Sequence, residues 1–135
     1  MSPTHTDLNR FAPTAQGECQ GMQLKDVLAR VGDKWSLCVV GALYWSPLRF
    51  NELKRRIGVS QRMLTLTLRG LERDGLVART VHPTNPPSVE YALTEMGRTL
   101  VTPVLALVEW SEAHLQEIAR ARSAFDGQAG VGSGA

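Results

Sequence analysis

The chain has 135 residues, 43% of them hydrophobic and 21% charged, with two cysteines, which fits one globular domain and excludes collagen-like, wholly disordered and disulfide-framed chains. Its net charge of +2 does not by itself announce a polyanionic partner. The longest apolar run, Leu37–Trp45, is too short to span a bilayer, and no secretory signal opens the sequence, so a soluble cytoplasmic chain without membrane association is expected.

Residues 1–20 are polar, carry Pro3, Pro13 and Gly17, and predict a flexible arm. Met22, Leu24, Val27, Leu28 and Val31 then fit one helical face ending near Gly32. A second helix, from Asp33 through Trp35, Val39, Val40 and Leu43 to Tyr44, is apolar nearly all round and predicts burial at the centre of the domain. Cys38 on that helix reads as a small apolar filler with no access to solvent. Ser46 and Pro47 stop the helix, and Leu48-Arg49-Phe50 predicts a short strand. Phe50, Leu53 and Ile57 mark a short helix, Gly58 suits its left-handed end, and Ser60 caps the next helix, Gln61 to Asp74, which Gly75 closes. Two strand-like stretches, 76–81 and 88–93, flank a proline-bounded tip over His82–Pro87. Thr94 caps a long helix from Glu95, inside which Pro103 predicts a kink or break. The expected organisation is an arm over 1–20, a domain over 21–123 and a glycine-rich disordered tail over 124–135.

The charge is unevenly spread. Between Arg49 and His82 lie Arg49, Lys54, Arg55, Arg56, Arg62, Arg69, Arg73 and Arg79 against Glu52, Glu72 and Asp74, so a segment of net +5 sits in a chain whose remainder carries −3. A basic centre of this kind suits a polyanion, although a solvated helical surface has the same composition. At about 100° per residue, Leu64, Leu68 and Leu71 fall on one side of the 61–74 helix. Arg62, Arg69 and Arg73 fall on the other, with Thr65 and Leu66 near the edges of that face. Two helices across a Gly-Val-Ser turn, followed by a hairpin, describe a winged helix-turn-helix: mainly α with a small β-hairpin wing. An arginine face of this kind fits the major groove of double-stranded DNA, where the start of the helix reaches bases. Gln61, Arg62 and Thr65 are therefore favoured at bases over Arg73, and Ser60 and Arg69 belong to the same DNA-binding set. Leu66 fits either a thymine methyl or a scattered surface leucine. Arg79 and His82 lie near the backbone, Arg79 equally being a solvated strand residue, and Arg49 can bond a phosphate or pair with Glu52.

Four stretches make a resemblance specific: Gly32-Asp33-Lys34-Trp35, Leu48-Arg49-Phe50-Asn51-Glu52-Leu53, Leu71-Glu72-Arg73-Asp74-Gly75-Leu76-Val77-Ala78-Arg79 and Pro86-Pro87-Ser88-Val89-Glu90-Tyr91-Ala92-Leu93-Thr94. In this order and spacing, over about Met22 to Leu115, they resemble the HxlR family of bacterial transcription regulators, relatives of the MarR group. The resemblance implies a dimeric winged-helix DNA-binding protein, usually a repressor and sometimes an activator, with Trp35, Phe50 and Tyr91 as structural residues; two such recognition helices about one DNA turn apart would demand an inverted-repeat operator. It also favours dimerisation through the first and last helices, for which Met22, Leu24, Leu100, Val104, Leu107, Val108 and Leu115 are the candidates. Many members begin the first helix with Cys-Pro, and in some that thiol senses oxidants. Here Met22-Gln23 stands at that position and Cys19, three residues earlier, is the candidate redox thiol. The family wing commonly has a basic residue after Pro-Pro, where this chain has Ser88.

His5, His82 and His114 with two distant cysteines offer no metal-ligand spacing, and no nucleophile with a base is apparent, so neither metal, cofactor nor catalysis is expected. A small apolar effector bound between the terminal helices and Trp35, Tyr44 or Trp45 is a further partner the sequence allows. The alternative function is an effector- or redox-sensing module whose winged helix contacts protein. Such a module has no need of three aligned arginines.

Overall fold

The computed structural model describes residues 23–133; the arm with Cys19 and the candidate Met22 lie outside them. The chain forms two compact units, one ending at Thr99 and the other beginning at Leu100.

In the first unit, α1 (Leu24–Val31) starts where the Asp26 carboxylate accepts the Gln23 N–H (2.9 Å). Asp33 caps α2 (Lys34–Leu43), accepting the Ser36 backbone N–H at 3.0 Å and its hydroxyl at 3.2 Å, which satisfies a serine that is otherwise fully buried. The buried residues of α2 are Ser36, Val39, Val40 and Leu43. They form one stripe, so the helix is not enclosed all round, and Cys38 faces outward and is exposed. The filler role read for Cys38 is therefore corrected: in a helix that is apolar nearly all round, the outer side is marked by Lys34, exposed one turn before Cys38 on the same face.

The strand β1 (Leu48–Arg49) is shorter than expected, because Phe50 already belongs to α3 (Phe50–Ile57). Gly58 ends α3 at φ 71°, and buried Val59 fills the turn. The Ser60 hydroxyl then accepts the Met63 N–H at 3.2 Å and opens α4 (Gln61–Arg73). Two bonds close this helix, Gly75 N–H to the Glu72 carbonyl and Leu76 N–H to the Leu71 carbonyl, with Gly75 at φ 75° and Leu76 buried behind it. The chain runs straight on into β2 (Val77–His82), which pairs antiparallel with β3 (Ser88–Leu93); β3 also pairs β1, Leu48 opposite Tyr91, giving the order β1-β3-β2. The most deeply buried part of the core is Val39, Val40 and Leu43 of α2, Leu53 of α3, Leu64, Leu68 and Leu71 of α4, and Val77 of β2, with Leu48, Tyr91 and Leu93 of the sheet around it.

Thr94 joins the wing back to the turn after α4. Its backbone N–H reaches the Leu76 carbonyl (3.1 Å), its hydroxyl donates to the Gly75 carbonyl (2.6 Å) and accepts the Gly97 N–H (3.0 Å), capping α5 (Glu95–Thr99). Gly97 is buried, and a Cβ there would collide with the Leu76 carbonyl.

The second unit is α6 (Val101–Ser133). The break expected from Pro103 falls at Leu100, since proline cannot donate to the Thr99 carbonyl and its ring would strike it. Within the first turn of the new helix the missing N–H is no loss. Where the glycines predict an irregular tail from residue 124, α6 continues to Ser133; no proline follows Pro103 to interrupt it, and a helical glycine costs only about 1 kcal/mol against alanine.

Candidate nucleic-acid interface

The helix α4 sorts its side chains as its spacing requires. Leu64, Thr67, Leu68 and Leu71 are buried, and Arg62, Leu66, Arg69 and Arg73 share the opposite, exposed face. Leu66 keeps 55% of its surface open to solvent between arginines. Gln61 is exposed in the first turn and Thr65 half-buried, its hydroxyl donating to the Gln61 carbonyl at 2.8 Å. Buried Thr67 satisfies itself in the same way on Met63. The Ser60 hydroxyl is committed as an acceptor to the cap, so its first task is to start the helix.

The electrostatics separate an ionic surface from an ion-paired one. Among the described residues the ion pairs are Arg30 with Asp74 (2.8 Å) and His82 with Glu90 (3.5 Å). None of Arg49, Lys54, Arg55, Arg56, Arg62, Arg69, Arg73 and Arg79 has a carboxylate partner there. Cations left without intramolecular partners keep their full attraction for a polyanion. The choice open for Arg49 has a third answer: Glu52 accepts the Arg49 backbone N–H (2.9 Å) as the start of α3, leaving the guanidinium exposed. Beside it lies a shallow, open depression lined by Arg49, Asn51, Glu52 and Arg55. In the sequence, Arg55 counts only toward the basic segment and Asn51 carries no role. Their spacing of four, on the side of α3 away from Leu53 and Ile57, was the available signal.

On the wing, Arg79 is exposed opposite Tyr91, whereas His82 faces Glu90 and shares its site with that carboxylate. Of the residues read as dimer-forming, Leu24 on α1 is half-buried; on α6 Val104 is half-buried, while Leu107, Val108 and Leu115 are exposed together with Leu105 and Trp110. Leu100, in the turn before α6, is half-buried. Among the described residues no cluster of His, Cys, Asp and Glu could hold a metal ion, and no helix is long and apolar enough to cross a membrane.

A family model described as HxlR-like helix-turn-helix matches residues 30–119. The chain belongs to that family. An uncharacterized HTH-type transcriptional regulator, YtfH of Escherichia coli K12, is 39% identical over 99 residues, 73% of this chain and 79% of YtfH. The solved structure of the YtfH regulator of Salmonella typhimurium superposes with a TM-score of 0.68 at 37% identity, covering 73% of this chain and 89% of that one. The redox regulator HypR in its oxidized form is 46% identical, with a TM-score of 0.62 over 66% of this chain and 93% of its own. This HxlR-like chain is thus a helix-turn-helix transcriptional regulator with a winged fold, in a class that binds DNA and whose relatives here are regulators rather than enzymes.

Proposed function

We propose that the protein acts in the cytoplasm as a homodimer that represses transcription by occupying an inverted-repeat operator. The observation that carries this reading is the face Arg62–Leu66–Arg69–Arg73 of α4, exposed and free of acidic partners. Gln61, Arg62 and Thr65 at the helix start meet base edges, and Arg69 and Arg73 follow along the groove to the phosphates. Arg49 with Asn51 and Arg55 holds the backbone on one flank, Arg79 and His82 on the other. Unpaired arginines aligned along one helix face favour a polyanionic groove over a protein surface as the partner. Because HypR is a redox regulator, thiol control of this chain would fall on Cys19 or on exposed Cys38.

One recognition helix reads too few bases to select a site in a genome, whereas two related by a two-fold axis read half-sites about one turn, roughly 34 Å, apart. The exposed apolar residues of α6 support a pairing surface on that helix. The test is to recover bound fragments from genomic DNA and to measure mass by light scattering in the wild type, Leu107→Glu and Leu115→Glu. An inverted repeat among the fragments, a dimeric wild type, and monomeric, folded variants that bind near the random-sequence level are expected. A monomeric wild type at micromolar concentration, or variants that stay dimeric and bind normally, would overturn the pairing.

A further inference from the structure

The most unusual residue on α4 is Gly70. Glycine in a helix interior is unfavourable, and neither a turn nor a positive φ requires it here. The space where its side chain would stand is taken by Arg30 of α1: a Cβ built on Gly70 falls on Cζ and Nη1 of that guanidinium and within 2.6 Å of Nη2. From this position Arg30 Nε donates to the Asp74 carboxylate at 2.8 Å, across 44 residues of sequence. A guanidinium lying over the bare backbone of one turn and bonded through Nε to the carboxylate of the next is held at two points. Asp74, at the negative end of the α4 dipole and next to the reading face, has its charge offset in the same contact.

We infer that Arg30 is a positioning residue for DNA reading: clasped over Gly70 and bonded to Asp74, it fixes the rotation of α4 about its own axis. The proposal rests on α4 being the element that reads DNA. At about 100° per residue, Gly70 and Asp74 lie roughly a quarter-turn or slightly more round the helix from the arginine face, beside it rather than on it. None of the three residues therefore needs to touch DNA. A small rotation of α4 would move Gln61, Arg62 and Thr65 off their base edges while leaving the cations near phosphate. Loss of the clasp consequently removes discrimination rather than attraction.

The experiment uses the full chain with two probes of equal length, a duplex recovered from the genomic selection and a random-sequence duplex, at a temperature well below melting. Arg30→Met removes the charge and the fork; Gly70→Ala keeps both charges and pushes the guanidinium off the helix. Each is expected to lose about tenfold on the selected duplex, the size of effect a residue acting through a contact network produces, with little change on the random one and the same salt slope. Arg30→Met with Asp74→Asn should be no worse than the weaker single variant, because both break one contact. Equal losses on both duplexes with a shallower salt slope would make Arg30 a phosphate ligand and overturn the proposal. So would unchanged binding with only a lower melting temperature, or losses that add in the double variant. A wild type that does not prefer the selected duplex would instead sink the DNA reading itself.

Discussion

The sharpest consequence of the unpaired basic surface is its dependence on salt. Eight cations between Arg49 and Arg79 lack carboxylate partners among the described residues. If half of them neutralise phosphates in each protomer of a dimer, a bound duplex carries about eight such contacts, and each contributes about −0.9 to the slope of log affinity against log salt. The slope is then about −7, and raising salt fourfold, from about 0.05 to 0.2 M, lowers affinity about 10⁴-fold. Arg73→Ala removes one contact per protomer, so the slope should become shallower by about 2, with affinity for selected and random duplexes falling alike. Arg62→Ala should behave differently. At the start of the helix it loses about 1–3 kcal/mol on the selected duplex and little on the random one. Fluorescence anisotropy with labelled duplexes at four or five salt concentrations measures both quantities. A flat salt dependence would refute the polyanion reading outright. Arg73→Ala with an unaltered slope, or Arg62→Ala with equal losses on both duplexes, would refute the division of labour along α4.

Two other expectations follow from single contacts. Leu66, 55% exposed among arginines, recovers about half of the roughly 1.5–3 kcal/mol available from burying a leucine if it meets a thymine methyl. Replacing each thymine of the selected duplex in turn by uracil should then weaken binding about fourfold at one position per half-site in the wild type and at none in Leu66→Ala; indifference at every position would leave Leu66 a plain surface leucine. Gly97→Ala drives a methyl group into the Leu76 carbonyl, which should cost about 1–3 kcal/mol by overpacking and lower the melting temperature by several degrees in a calorimeter. A melting temperature equal to wild type would mean that α5 can withdraw from the wing without penalty.

The legible parts of the fold are those specified by neighbouring residues. Asp33 and Ser60 cap helices because a short polar side chain stands immediately before an apolar stripe; Gly58 and Gly75 take positive φ because each ends one. The wing follows from two strand-like runs around prolines, and the break before α6 from one proline acting on the carbonyl four residues earlier. The arginine and leucine faces of α4 are likewise a matter of period. What escaped has a weak local signature or none. Cys38 points outward from a helix whose exterior is marked in sequence by a single charge, Lys34 four residues before it. Glu52, an obvious ionic partner for Arg49 in sequence, is drawn to the backbone N–H at the start of α3. The contact of Arg30 with Gly70 and Asp74 joins residues 40 and 44 positions apart, and a lone helical glycine does not announce what lies over it.

The joint between the wing and the end of α4 bears on which DNA the protein tolerates. The Gly75 turn runs directly into β2, the Thr94 hydroxyl grips that turn from the far end of the hairpin, and Gly97 brings α5 against the Leu76 carbonyl. These contacts tie the wing to the end of α4, so if α4 enters a groove and the wing touches the backbone as proposed, the spacing between the two is set before any duplex arrives. A duplex that engages both must supply the compliance itself. Its groove width and bendability between the two contacts become part of what is selected, so base pairs that no side chain reaches are expected to show preference for the more easily deformed steps.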